Sequence, residues 1–264
     1  MNKLNLFVLF YIILFLCLSG CEDNSSINDP DISQNGWLTV FLTDANISSF
    51  DSVNITFSEL SAHLDSNWIT VLDTLRTINL LDLNNGKTIV LGNSELAAGH
   101  YTQIRLKISE SYLVQNGLRH IMKVPSGSQT GLKLGPEFTV NPGSTYELII
   151  DFDVCRSIVS TGPPSQPTSY KLKPHLRVLP KAITGSISGE VSNAANLPVV
   201  AAIQNEDTVT TSIPDTLSGY FMLSFLPAGI YDVSVTDTLN QNYIQQNIEV
   251  KAGQNSDLGS ITLQ

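Results

Sequence analysis

Cysteine is scarce in this chain: three in 264 residues, at 17, 21 and 155. Two of them sit in the N-terminal segment. Cys155 stands alone in the body of the protein, which therefore has no partner for an internal disulfide and must hold together by ordinary cores, as its length allows. Basic charge is also scarce, with 14 Lys and Arg against 24 Asp and Glu. Such a balance excludes nucleic acid as a partner, because its binders need basic patches to displace counterions. It also disfavours direct contact with anionic lipid head groups. The four histidines, His63, His100, His120 and His175, stand at no metal-ligand spacing. The chain lacks H-E-x-x-H, C-x-x-C, G-x-S-x-G, a P-loop and a dinucleotide fingerprint. The loop 127–131, Gly-Ser-Gln-Thr-Gly, lacks the lysine and following helix that a phosphate site needs. No cofactor is expected. No long amphipathic helix is apparent outside the N-terminal segment.

One long apolar run is present. Lys3 precedes residues 4–16, apolar except for Asn5, and Leu18-Ser19-Gly20-Cys21 closes the run. A positive start, apolar middle and small-residue exit form the layout of a secretory signal. The cysteine after Ser19-Gly20 resembles the lipobox of bacterial lipoproteins, which implies a diacylated Cys21 as the new N-terminus. The alternatives are a plain secretory signal and a retained membrane helix. Against the latter, the run is shorter than the ~20 residues of a span, and acid rather than a basic cluster follows it. Loss of Lys3 with the leader leaves 13 basic against 24 acidic residues. Acyl chains need no basic patch, since burial contributes ~0.8 kcal/mol per CH₂. Residues 22–35 are polar, acidic and broken by Pro30, as a flexible tether would be. Glu22 and Asp23 resemble an export signal to the outer face of the outer membrane; the plainer alternative is a solvated tether.

From Gly36 onward, apolar residues recur with period two. Strands are expected at 38–42, 53–57, 68–72, 88–91, 101–109, 119–124, 138–140, 145–152 and 171–178, with a helical turn at 58–64. Asn, Gly and Pro clusters separate them, including Asn84-Asn85-Gly86. Leu179-Pro180-Lys181-Ala182 reads as a junction, after which charges thin out. Seven more strands are expected, at 186–191, 199–204, 208–213, 219–225, 229–236, 243–250 and 256–263. The organisation expected is a signal peptide (1–20), a lipidated tether (21–35) and two tandem antiparallel β-sandwich domains, 36–180 and 181–264, in an all-β chain.

Leu96-Ala97-Ala98-Gly99-His100-Tyr101 is echoed by Leu226-Pro227-Ala228-Gly229-Ile230-Tyr231. The shared L-x-A-G-x-Y is read as a strand-entry device, glycine turning the chain and tyrosine entering the next strand; a shared ligand loop is the alternative. Asp151 and Asp153 share a strand face. With Asp44 they are the calcium candidates, and an acid/base pair is a further alternative. The plainer reading has them capping the strand end or pairing with Arg105, Arg156 or Arg177, and Asp44 making a side-chain turn. Trp37, Trp68, Tyr112, Tyr220 and Tyr243 are candidates for a sugar platform, although both tryptophans are expected in the core. Cys155 is expected half-buried on a strand.

Residues 36–180 resemble the DUF4382 family of bacterial and archaeal extracellular domains. Leu38 to Ala45 is similar to its opening strand and T-D-A turn, and Asn54 to Phe57 to its second strand. Trp68 with Leu80-Leu81-Asp82-Leu83, Gly99 to Leu106, Leu148 to Asp153 and Lys173 to Val178 carry the rest. That resemblance implies a β-sandwich in a surface-lipoprotein context and no assigned catalytic residue. Residues 184–264 resemble the carboxypeptidase regulatory-like domain, a transthyretin-like sandwich, through Ile187 to Val191, Leu197-Pro198-Val199, Gly219-Tyr220-Phe221 and Leu226 to Tyr231. Carbohydrate-binding modules in the related fold group make glycan binding an analogy. The expectation is a non-enzymatic outer-membrane lipoprotein of a Gram-negative bacterium, facing the exterior. It would hold the membrane through acyl chains and meet a glycan or protein ligand at the surface. The alternative is a carbohydrate-binding accessory lipoprotein of a polysaccharide-uptake system.

Overall fold

The computed structural model describes residues 34–45, 50–163 and 167–264. The leader, Cys21 and nearly all of the tether lie outside them. Among the described residues, no helix is long and apolar enough to cross a membrane.

The protein is an all-β sandwich fold. In the first sandwich, β1 (Asn35–Ala45), β5 (Ile89–Ala97), β10 (Thr145–Asp153) and β13 (Leu176–Pro180) form one sheet, ordered β13-β10-β1-β5. The facing sheet is built on two long strands, β2 (Ser52–Leu64) and β6 (Gly99–Gln115). β3 (Asn67–Leu72) and β4 (Arg76–Asn79) flank β2. β7 (Leu118–Lys123), β8 (Leu132–Leu134) and β9 (Phe138–Val140) flank β6, and β11 (Ile158–Thr161) and β12 (Ser169–Leu172) extend the sheet beyond β7. Period-two residues fill the space between: Leu38, Val40 and Leu42 of β1 and Ile150 and Phe152 of β10 meet Ile55 and Phe57 of β2 and Ile104, Leu106 and Ile108 of β6. Phe57 and Phe152 touch edge to face, centroids 6.5 Å apart. Full burial of such a side chain contributes about 1.5–3 kcal/mol.

The second sandwich pairs a three-stranded sheet with a four-stranded one. The first contains β17 (Tyr220–Pro227), β14 (Thr184–Val191) and β20 (Asn255–Ile261); the second contains β16 (Asp207–Ser212), β15 (Val199–Gln204), β18 (Gly229–Thr236) and β19 (Asn242–Val250). Ile187, Phe221, Leu223, Tyr231, Val233 and Val235 form its separate core.

Among the described residues, three strand pairs depart from the antiparallel expectation: β1 with β10, β7 with β12 and β14 with β20 run parallel. Long intervening segments make these crossovers possible. Residues 58–64 continue β2 instead of forming a helical turn. Register shifts near Phe57 and His63 insert bulges that break the alternation and mimic a helical period. Residues 126–130, expected as loop, form a short helix, α1 (Ser126–Thr130). Cys155 lies on another, α2 (Val154–Ser157), and is exposed. Trp37 is 45% exposed on the outer face of β1 instead of buried, because it alternates with the core-facing Leu38.

Candidate functional site

The three candidate carboxylates gather where β1 and β10 end. Parallel pairing sets Thr43 beside Asp151 and Ala45 beside Asp153, while Asp44 aligns with Phe152 of the core. By strand alternation Asp151 and Asp153 belong to one face and Asp44 to the other.

Each of the three has a protein partner. Asp151 accepts from Arg177 at 2.6 Å (Nη2) and 3.2 Å (Nε), an arrangement set by the β10–β13 register, where the two are directly opposite. Burial pushes the Asp151 carboxyl above the usual carboxylate range, with Arg177 opposing the rise. Asp153 caps α2, accepting from the Arg156 amide at 2.9 Å and pairing with its guanidinium at 3.3 Å. Asp44 is buried and accepts from the Val154 amide at 3.1 Å. Arginine thus supplies positive charge at two of the three. Among the described residues, no group of three or more His, Cys, Asp or Glu is placed to hold a metal ion. Cys155 is exposed as a residue, but partial burial of its thiol, with Asp153 alongside, pushes the thiol up, away from the thiolate.

This end of the first sandwich meets the second. The Arg156 guanidinium donates to the Thr208 carbonyl at 2.7 Å. The Asn85 side-chain oxygen accepts from Ser212 Oγ at 2.6 Å and from the Met222 amide at 3.2 Å. Gly86 follows at φ +78°, where a Cβ would stand 2.7 Å from Ser224 Oγ and 2.8 Å from Met222 Sδ. Both backbone conformation and space therefore require glycine there. A polar space of about 10 Å³ lies between Thr43, Asn85, Asp151, Thr210 and Ser224. It has room for about one water. Sequence reasoning took Asn84-Asn85-Gly86 only as a turn; nothing local marks it as the latch between sandwiches.

The sugar-platform candidates are dispersed. Trp37 borders an open depression of about 310 Å³ with Thr39, Asn93 and Thr145. Trp68 is half-buried under the Arg105 guanidinium, 4.1 Å from the ring centroid. Tyr112 is covered by Arg119 at 3.8 Å. Tyr220 and Tyr243 are half-buried, and the Tyr243 hydroxyl donates to Gln245. The histidines are separate: His63 contacts Thr102, His100 pairs with Glu137, His120 packs on Tyr170, and His175 donates its amide to Ser157.

No curated protein matches the sequence. Among solved structures, the chain is similar to the Bacillus anthracis TIE protein (10% identity, TM-score 0.23), covering 87% of this chain and 34% of that one. It therefore spans about a third of that protein's length. It is similar to the shaft pilin SpaA from Lactobacillus rhamnosus GG (11% identity, TM-score 0.23), covering 88% of this chain and 98% of the pilin. It is also similar to a DUF3823 family protein from Bacteroides ovatus (12% identity, TM-score 0.15), covering 81% and 98%. The family model for a domain of unknown function, DUF4382, matches residues 35–174, more than half of the chain. The span includes both paired strand ends, β1 and β10, and the Asn85-Gly86 latch: the chain belongs to the DUF4382 family.

Proposed function

We propose that this is a lipid-anchored cell-envelope protein with a structural, adhesive or binding role and no catalytic activity. Acyl chains on Cys21 hold it to the outer membrane, facing the exterior, and the polar segment to residue 35 carries two modules, 36–180 and 181–264. The second is a carboxypeptidase regulatory-like sandwich. The observation that carries the non-catalytic reading is the use made of the buried polar groups: Arg177, α2 and the second sandwich engage them, around a space for about one water. The anchoring rests on Leu18-Ser19-Gly20-Cys21 and the apolar run before it. Growth with an alkyne-tagged palmitate labels the unaltered protein and leaves C21A unlabelled; labelled C21A overturns the anchor. Protease added to intact cells degrades an outward-facing protein and spares an inward-facing one.

A second reading, a carbohydrate-binding accessory lipoprotein of a polysaccharide-uptake system, is favoured by Trp37. Trp37 is 45% exposed and borders an open depression with Thr39, Asn93 and Thr145. An indole flanked by hydroxyl and amide groups suits the apolar face and hydroxyl rim of a sugar. A glycan array probed with residues 22–264 and with W37A decides it: sugar binding lost in W37A supports this reading, and no binding at millimolar sugar removes it.

A further inference from the structure

The outer face of β7 and β12 carries a concentration of positive charge at odds with an acidic protein. Arg119, Ile121 and Lys123 alternate outward along β7, while His120 is half-buried and Met122 buried. Lys123 lies directly opposite Lys171 of β12, which in turn lies opposite Val159 of β11. Lys173 follows two residues on. Like charges facing each other across a strand pair oppose sheet formation, yet none of these three lysines forms an ion pair with another described residue. With Pro125, Val159 and Leu172 they line an open groove of about 340 Å³. A second depression of about 360 Å³ is lined by Ile121, Tyr112 and Arg119, with Glu110 among its walls. Ile121 itself is 77% exposed.

We propose that this face binds an acidic polysaccharide, a chain bearing carboxylates or sulfates at regular intervals. The cations do not converge on one point, as a site for a single small anion would require. They are spread along ~13 Å of β7 and across to the next strand ~4.8 Å away, on an open surface that a linear polymer can cover. Ile121 and Val159 lie among them and meet the C–H faces of the sugars. Nucleic acid fits less well, because base stacking needs a free aromatic face and Arg119 covers Tyr112. An acidic peptide would need an enclosed pocket for an anchoring side chain; the depressions on this face are open. An anionic bilayer would meet the same cations, and comparison with vesicles separates it from a soluble polyanion. The assignment does not depend on the anchor or on the Trp37 site, and a soluble binding assay separates it from both.

The test uses residues 22–264, which retain every described contact. Affinity is measured for polygalacturonate and dextran sulfate, with neutral dextran and phosphatidylglycerol vesicles as comparisons. At least one polyanion binds, and binding weakens as salt rises. The triple variant K123S/K171S/K173S loses about tenfold or more in affinity, with a thermal midpoint close to that of the unaltered protein because all three lysines are exposed. K251S, on the second sandwich, binds normally. The proposal is overturned by failure of both polyanions to bind, by equal binding of neutral dextran, by undiminished binding of the triple variant, by an equal loss in K251S, or by vesicle binding without polyanion binding.

Discussion

The Tyr101 hydroxyl donates a 2.9 Å hydrogen bond to the backbone carbonyl of Ala97, four residues upstream across the turn at Gly99. Tyr231 repeats the arrangement in the second sandwich, donating to the Pro227 carbonyl at the same distance. Both rings are buried, and burial pushes both phenols above their ordinary pKa, with Asp65 adding to the rise at Tyr101. This is the physical content of the repeated L-x-A-G-x-Y: each tyrosine ties the end of one strand to the start of the next while filling its core. Y101F and Y231F are each expected to cost about 1–3 kcal/mol, because each leaves a carbonyl without its donor. Urea unfolding of the two variants measures it; unchanged midpoints would refute the role.

Asp151 and Arg177 are a buried pair, with side chains 8% and 20% exposed. Removing one partner strands the other, so R177M is expected to destabilise by ~3 kcal/mol or more, and D151N/R177M by less than R177M alone. The pH dependence follows from the direction of the Asp151 shift. A carboxyl whose folded pKa lies above its unfolded value of about 3.8 holds its proton longer in the native state. Stability therefore falls as pH rises through the window between the two values. D151N flattens the stability curve in that window. R177M extends the window upward, since Arg177 opposes the rise. Chemical unfolding across pH 3.8 and above reads both.

Glu59 shifts the other way. Lys107 at 2.6 Å, chiefly through its hydrogen bond, and Arg105 at 3.5 Å hold its carboxyl below the ordinary 4.5. Its contribution is present above pH 4.5 and is lost as pH falls through the depressed folded value. E59Q is expected to cost about 0–1 kcal/mol near neutrality, given its partial exposure. The difference from the unaltered protein should vanish in acid. A difference that persists at low pH would show that packing, not charge, is responsible.

The Asn85-Gly86 turn couples the two sandwiches. G86V forces a side chain into a position at φ +78° that Ser224 and Met222 already occupy. N85A removes the acceptor of Ser212 and of the Met222 amide. N85A is expected to cost about 1–3 kcal/mol, and G86V more. Both should separate the unfolding of the second core from that of the first. Calorimetry shows this as a broadened or split transition; a single sharp transition in G86V would contradict the coupling.

Much of the architecture was legible in the residue pattern. β15 and β18 fall at 199–204 and 229–236 as expected, and the other second-sandwich strands within two residues. Alternation with Gly and Asn punctuation is a local signal, and strands of four to nine residues carry it intact. It failed at 58–64, where bulges in β2 shift the register and three buried residues, Leu60, Ser61 and Ala62, adjoin. At Trp37 the residue type misled, suggesting burial, whereas alternation with the buried Leu38 sets it on the outer face.

The site divides in the same way. The residues themselves specified a period-two β chain, two tyrosine turns and an acidic overall charge, since each is read from composition or from neighbours within a few positions. Tertiary structure decided which arginine meets Asp151, because that follows from the antiparallel register of two strands some 25 residues apart. It decided that Asn85 reaches Ser212, 127 positions away. It also brought Lys123 opposite Lys171 through a parallel pairing that no local spacing announces. Strand periodicity is written in adjacent side chains, whereas strand order depends on which apolar faces bury each other, and that is settled only when the whole chain packs.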